Sequence, residues 1–74
     1  MIREHERVVL TVDFPEHGLK AGDVGAVVMA HGGGAGYEVE IFTLDGQTLD
    51  VITVEAGQVR PVAPKEVIHA RRVA

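Results

Sequence analysis

The side chains best suited to metal binding or proton transfer are four histidines, His5, His17, His31 and His69. They are spread along the whole chain, and their spacing matches no short metal-ligand motif. There is no cysteine, so a thiolate metal site and a disulfide are both excluded. We therefore expect exposed histidines, with no metal and no other cofactor.

Catalytic groups of other kinds are equally scarce. The chain contains no serine and no cysteine, which excludes the two commonest nucleophiles. His31-Gly32-Gly33-Gly34 has the form of an oxyanion-hole motif, but that motif requires a serine nucleophile. The stretch is better explained as a glycine-rich connection between strands. The sequence thus predicts no catalytic residue and a protein that is not an enzyme.

Three carboxylates, Asp13, Glu16 and Asp23, fall within one stretch rich in turn residues. Paired carboxylates can transfer protons or bind Ca²⁺. On the rim of a small domain, however, acidic side chains are usually solvated. We therefore expect an acidic loop surface here, without catalysis.

The elements that position these residues are organised around the stretch from Leu19 to Met29. Gly22 lies where a turn needs a positive φ, and Gly25 begins a β-branched run at a point that fits a bulge or a close backbone crossing. Asp45-Gly46 is the strongest hairpin signal in the chain. A β-branched run after the glycines also argues against a phosphate-binding loop, which a helix would follow.

Alternating apolar residues predict five strands, at residues 6–12, 24–31, 37–43, 48–55 and 59–62. A single 3₁₀ turn at residues 55–58 should precede the last strand. The fold class is therefore all-β, a small five-stranded antiparallel barrel. Its predicted core consists of Val8, Leu10, Leu19, Val27, Val39, Ile41, Leu49, Val51 and Val59.

Two sets of apolar residues do not fit inside that barrel. The fourth strand is apolar on both faces, and assigning Leu49 and Val51 to the core leaves Ile52 and Val54 exposed. Phe14, in the first long loop, is either an anchor under the barrel or an exposed contact. We therefore predict partner-binding roles for Phe14, Ile52 and Val54.

Four segments resemble a small bacterial family of uncharacterised SH3-like proteins and, more distantly, KOW-type domains. The segments are Arg7-Val8-Val9-Leu10-Thr11, Gly18 to Gly25, Tyr37 to Ile41 and Val59-Arg60-Pro61-Val62. The resemblance implies an SH3-like barrel with no established activity. It also implies that the acidic rim of Asp13, Glu16 and Asp23 binds basic segments of a protein partner. An accessory or antitoxin-like role extends this interpretation, and a nucleic-acid-binding KOW-like domain is the alternative.

Charge divides the chain into a body, residues 1–62, and a tail, residues 63–74. The body has four basic and ten acidic residues, a net charge of −6, and the tail a net charge of +2. An acidic body should repel nucleic acid. The tail could dock as a short helix or strand, or fray, and it could bind its own body, a neighbouring copy or an acidic partner.

The length of the chain indicates how it assembles, and its apolar runs indicate where it is located. Because 74 residues form only a marginal core, we expect a homodimer through the fourth strand or the tail. No secretory signal and no apolar run of about 20 residues is visible, so we expect a cytoplasmic protein with no membrane contact.

Overall fold

The protein folds as one antiparallel sheet of five strands, in a computed structural model that describes residues 2–73. The strands are β1 (Arg7–Leu10), β2 (Val24–His31), β3 (Gly36–Phe42), β4 (Thr48–Glu55) and β5 (Val59–Pro61). They lie in the order β4-β3-β2-β1-β5, so β4 and β5 are the two edges of the sheet. The all-β, five-stranded prediction is confirmed, and so is the 3₁₀ turn before the last strand, at Ala56–Gln58.

The core lies on one face of this bent sheet. Seven of the nine predicted core residues are buried, and Phe14 is buried with them as a loop anchor. On β3, Tyr37, Val39 and Ile41 point inward, as their alternation with Glu38 and Glu40 predicted. The complete buried apolar cluster is Val8, Leu10, Phe14, Leu19, Val27, Tyr37, Val39, Ile41, Ile52, Val54 and Val59.

The prediction of the inward face of β4 was wrong. Ile52 and Val54 are each only 2% exposed, whereas Leu49 is 42% and Val51 50% exposed. The cause is a one-residue irregularity in the pairing of β3 with β4: Phe42 lies opposite Thr48, but Ile41 lies opposite Asp50. Leu49 is therefore an additional residue on β4, and one additional residue turns every following side chain to the other face.

The turn and close-approach glycines behave as predicted. Gly22 and Gly46 have φ of 96° and 90°, a region that favours glycine. Gly25 lies against β3, where a Cβ atom would be 2.6 Å from the backbone oxygen of Glu40. Gly25 is therefore a close crossing of two strands, while the bulge in β2 lies further on, between Val27 and Met29.

Other boundaries differ from the sequence prediction by a few residues. β1 ends at Leu10, whose carbonyl accepts the Gly22 N–H at 2.8 Å, and the next N–H, that of Thr11, donates to the Gln58 carbonyl just before β5. The glycine-rich connection forms a 3₁₀ turn at Gly32–Gly34. The tail, as far as residue 73, forms neither helix nor strand. Among residues 2–73 no helix is long and apolar enough to cross a membrane.

Candidate functional site

The guanidinium group of Arg71 holds the end of the tail on the body. The Arg71 Nε donates to Asp23 Oδ1 at 2.8 Å, and Arg71 Nη2 donates to Asp23 Oδ2 at 2.5 Å. The same Nη2 also donates to the Gly18 carbonyl oxygen at 3.1 Å. We call the two receiving groups, the Asp23 carboxylate and the Gly18 carbonyl, the Asp23 clamp. Arg71 binds the clamp by a two-pronged, charge-assisted contact, a geometry that a guanidinium can form and an ammonium cannot.

The loop between β1 and β2 holds the receiving side of the clamp rigidly. Phe14 and Leu19 exchange backbone hydrogen bonds of 2.9 and 3.1 Å, and both side chains are buried. Gly18 follows the 3₁₀ turn Pro15–His17 with φ of 69°, which leaves its carbonyl oxygen available to Arg71. The clamp is therefore preorganised by residues that are packed for other reasons.

Two of the predicted acidic residues build this loop. Asp13 Oδ1 accepts the Ala21 N–H, and Asp23 Oδ2 accepts the Lys20 N–H, each at 2.8 Å. A short carboxylate that binds nearby backbone N–H groups is a common way to fix a turn. Glu16 lies exposed in the 3₁₀ turn Pro15–His17 and belongs to neither contact. Of the predicted rim, then, Asp23 alone has a cationic partner in residues 2–73.

The electrostatics of the clamp favour its charged form. The hydrogen bond from Arg71 is the main cause that holds the pKa of Asp23 below its ordinary value, with help from the Lys20 N–H. The same hydrogen bond raises the pKa of Arg71. Both groups stay charged at neutral pH, so Arg71 and Asp23 form an ion pair there.

A cleft of about 110 Å³ lies beside the clamp, between body and tail. Most of the body residues that line it are apolar, and they come from the β1–β2 loop, β2, the β3–β4 turn and the adjoining ends of β3 and β4. Leu44, 71% exposed, and Leu49, 42% exposed, border it. The lining residues are Leu19, Gly22, Asp23, Val24, Ile41, Phe42, Thr43, Leu44 and Leu49 from the body, and His69, Ala70, Arg71 and Val73 from the tail.

A second ion pair holds the start of the tail. Arg60 Nη1 and Nη2 donate to the two carboxylate oxygens of Glu66 at 2.9 and 2.7 Å. Glu66 also accepts the Ala63 N–H, and together these contacts lower the pKa of Glu66 to about 2, with the Arg60 hydrogen bond as the largest cause. The tail is thus fixed at Glu66 and at Arg71, with Val67–Ala70 as a span between the two.

The other predicted site residues are placed differently. Ile52 and Val54 are buried in the core, so neither offers a surface to a partner, contrary to the prediction. Phe14 is buried as well, which confirms the anchor and not the exposed contact. Asp45 and Gly46 form the β3–β4 turn, where Thr43 Oγ1 bonds the Asp45 carboxylate.

Two of the four histidines each form a pair with a single carboxylate. His31 Nε2 lies 2.6 Å from Glu38 Oε2, and His17 Nδ1 lies 2.9 Å from Asp50 Oδ2. The His31 contact, with a hydrogen bond from Thr53, lowers the pKa of Glu38. Within residues 2–73 no three histidine or acidic side chains lie close enough together to hold a metal ion.

Sequence reasoning missed Arg71 and the Gly18 carbonyl as site groups. The available signal was the charge of the two segments, +2 for the tail and −6 for the body. That signal indicates attraction but not which of the ten acidic body residues is the partner.

Comparison with known proteins gives one match. No curated protein and no solved structure is found to match the chain, so the SH3-like and KOW-type likeness stays a prediction. A family model does match, over residues 4–61, which include Gly18 and Asp23 but not the tail. The chain belongs to the family described as a domain of unknown function, DUF4926.

Proposed function

We propose that this domain is a non-enzymatic protein-interaction module that binds an extended, arginine-bearing segment at the Asp23 clamp and its cleft. The observation that supports this most directly is the chain's own tail, which places Arg71 there with three hydrogen bonds. Because the tail forms no helix or strand, the clamp binds a side chain of an irregular segment.

The cleft supplies a second element of recognition. Val73 lines it two residues after Arg71, and Leu44 and Leu49 line it from the body. A segment with an arginine followed two residues later by an aliphatic side chain would fit both the charged and the apolar part. The net charge of −6 on the body favours approach of such a basic segment.

The test uses a fluorescent peptide with the sequence of residues 66–73 and full-length protein carrying Arg71→Ala, which empties the clamp. We expect saturable binding by fluorescence anisotropy. Adding Asp23→Asn, which keeps an acceptor for the Lys20 N–H, should weaken that binding at least tenfold. Adding Glu16→Gln, which removes a charge from the same loop, should leave it within about twofold because exposed charges contribute little. Equal affinities for the Asp23 and Glu16 variants would refute the proposal.

No described residue specifically supports the narrower roles that the sequence predicted. An accessory or antitoxin-like role beside a larger protein stays a prediction, as does a cytoplasmic location. Nucleic-acid binding, the alternative, is disfavoured by the acidic body, since such binding is carried mainly by Lys and Arg contacts to phosphate. Tight, salt-sensitive binding of DNA or RNA to the unmodified chain would favour that alternative.

A further inference from the structure

We propose that the tail is exchanged between two copies of this chain, so that Arg71 of each copy occupies the Asp23 clamp of the other. The clamp contacts are the same whether the tail belongs to the same copy or to its partner, so exchange loses none of them. This inference does not depend on an external protein partner. It assigns the clamp a second copy of the chain as its occupant.

The turn that directs the tail back onto its own body is strained. Residues 63–66 form a four-residue turn in which the Glu66 N–H approaches the Ala63 carbonyl at 3.4 Å. Lys65, at its third position, has φ of 67°, a region that glycine or asparagine normally occupies. An extended connection in the exchanged form would release this conformation at the loss of the Glu66 contacts to Ala63 that close the turn, and short hinges under strain promote exchange.

The span between the two ion pairs gains little from its own body. Val67 is 90% and Ile68 65% exposed. Within the described residues, Val67–Ala70 make no hydrogen bond to the body. In an exchanged pair the two spans would run between the bodies, where these apolar side chains could be covered by the other copy.

The tail is long enough for this arrangement. Ten residues, 62–71, reach roughly 33 Å when extended, at about 3.3 Å per residue. The whole domain measures 34 × 30 × 21 Å. A straightened tail therefore reaches the clamp of an adjacent copy.

Pairing of two copies through the β4 edge is a less favourable route. The Val51 N–H already donates to Asp50 Oδ1, and the Glu55 N–H to Gln58 Oε1, each at 2.8 Å. Ile52 and Val54 are buried, so they offer no apolar contact either. The tail is thus the better candidate for the contact between copies.

Mixing two variants distinguishes exchange from docking within one chain. Asp23→Asn has an intact tail and a defective clamp, and Arg71→Ala has an intact clamp and a defective tail. By light scattering each variant alone should have a mass near 7.9 kDa. An equimolar mixture at high micromolar concentration should form a mixed pair of twice that mass, because the first variant can supply Arg71 to the second. The unmodified chain should form pairs of copies in the same measurement.

The matched control mixes Arg71→Ala with the double variant that carries both changes, so that no Arg71 is present. It should contain at least tenfold less of the paired species. Lys65→Gly, which relaxes the turn, should lower the paired fraction of the otherwise unmodified chain. An unmodified chain of 7.9 kDa, or an Asp23→Asn and Arg71→Ala mixture indistinguishable from the control, would overturn exchange. Amide NMR spectra of each variant establish that it is folded before mixing.

Discussion

Gly22 and Asp23 are neighbours in the chain and have different roles. Gly22 has φ of 96°, and its N–H donates to the carbonyl of Leu10, the last residue of β1. Asp23 fixes the same turn with one carboxylate oxygen and receives Arg71 with both. A change at Gly22 therefore affects the fold and, through the loop, the clamp.

We expect Gly22→Val to lower the free energy of unfolding by about 1–3 kcal/mol, because a β-branched residue is strained at this φ. Chemical denaturation measures the change. Gly57→Ala is the matched control, since Gly57 has open space around it and no positive φ, and it should change stability by less than about 0.5 kcal/mol. Equal denaturation midpoints for the two variants would contradict the expectation.

For single residues, the sequence predicts backbone geometry better than it predicts which side chains pair with each other. The position of Gly22 between Ala21 and Asp23 indicates a turn, because few other residues adopt that φ. The pairing of Arg71 with Asp23 is not readable in the same way. The two residues are 48 positions apart, and each has several chemically equivalent competitors along the chain.

Among the elements, β4 shows how one residue decides which face is buried. Without the irregularity at Leu49, the pairing begun at Phe42 and Thr48 would have placed Leu49 opposite Ile41. Val51 would then lie opposite Val39, and the predicted core would have been correct. A strand that is apolar on both faces carries no alternation to reveal such a shift, whereas β3, with its glutamates, was predicted correctly.

Substitutions on the two faces of β4 should have very different costs. We expect Ile52→Ala to destabilise the protein by about 2–5 kcal/mol, because it leaves a cavity in the core. Val51→Ala, one position earlier and half exposed, should cost less than about 0.5 kcal/mol. Thermal unfolding of both variants is the measurement. Similar losses would show that the register given above is wrong.

For the molecule as a whole, the decisive feature is the separation of an acidic body from a basic tail. Two ion pairs join them, Arg60 with Glu66 and Arg71 with Asp23. Composition alone predicts the attraction that Arg71 and Asp23 show, whereas in the pair of Arg60 with Glu66 the signs are reversed, with the cation on the body. The sequence does not predict that the tail docks without helix or strand, because that outcome depends on a few side-chain contacts and not on periodicity.

Acid should therefore release the tail. The pKa values of Asp23 and Glu66 are lower in the folded protein than their ordinary values of 3.8 and 4.5. The stabilisation that they provide is complete above those values and is lost as the pH falls toward the folded pKa, which is about 2 for Glu66. We expect a carboxyl titration of Glu66 by NMR with a midpoint of about 2.

The Arg60→Gln variant should raise that midpoint toward 4.5, since it removes the largest cause of the shift. Arg72→Ala provides a matched change of charge in the tail outside both ion pairs, and it should leave the midpoint in place. A Glu66 midpoint near 4.5 in the unmodified protein would mean that the Arg60 contact does not form in solution.

The hydrogen bond from the Val51 N–H to Asp50 has a consequence for solubility. Val51-Ile52-Thr53-Val54 is a short β-branched run without charge, the composition found in amyloid-forming segments, and it lies on an edge strand. Fibrils grow by adding strands to open backbone groups at such an edge. Because the Asp50 carboxylate occupies one of these groups, the folded domain presents a poor template for fibril growth.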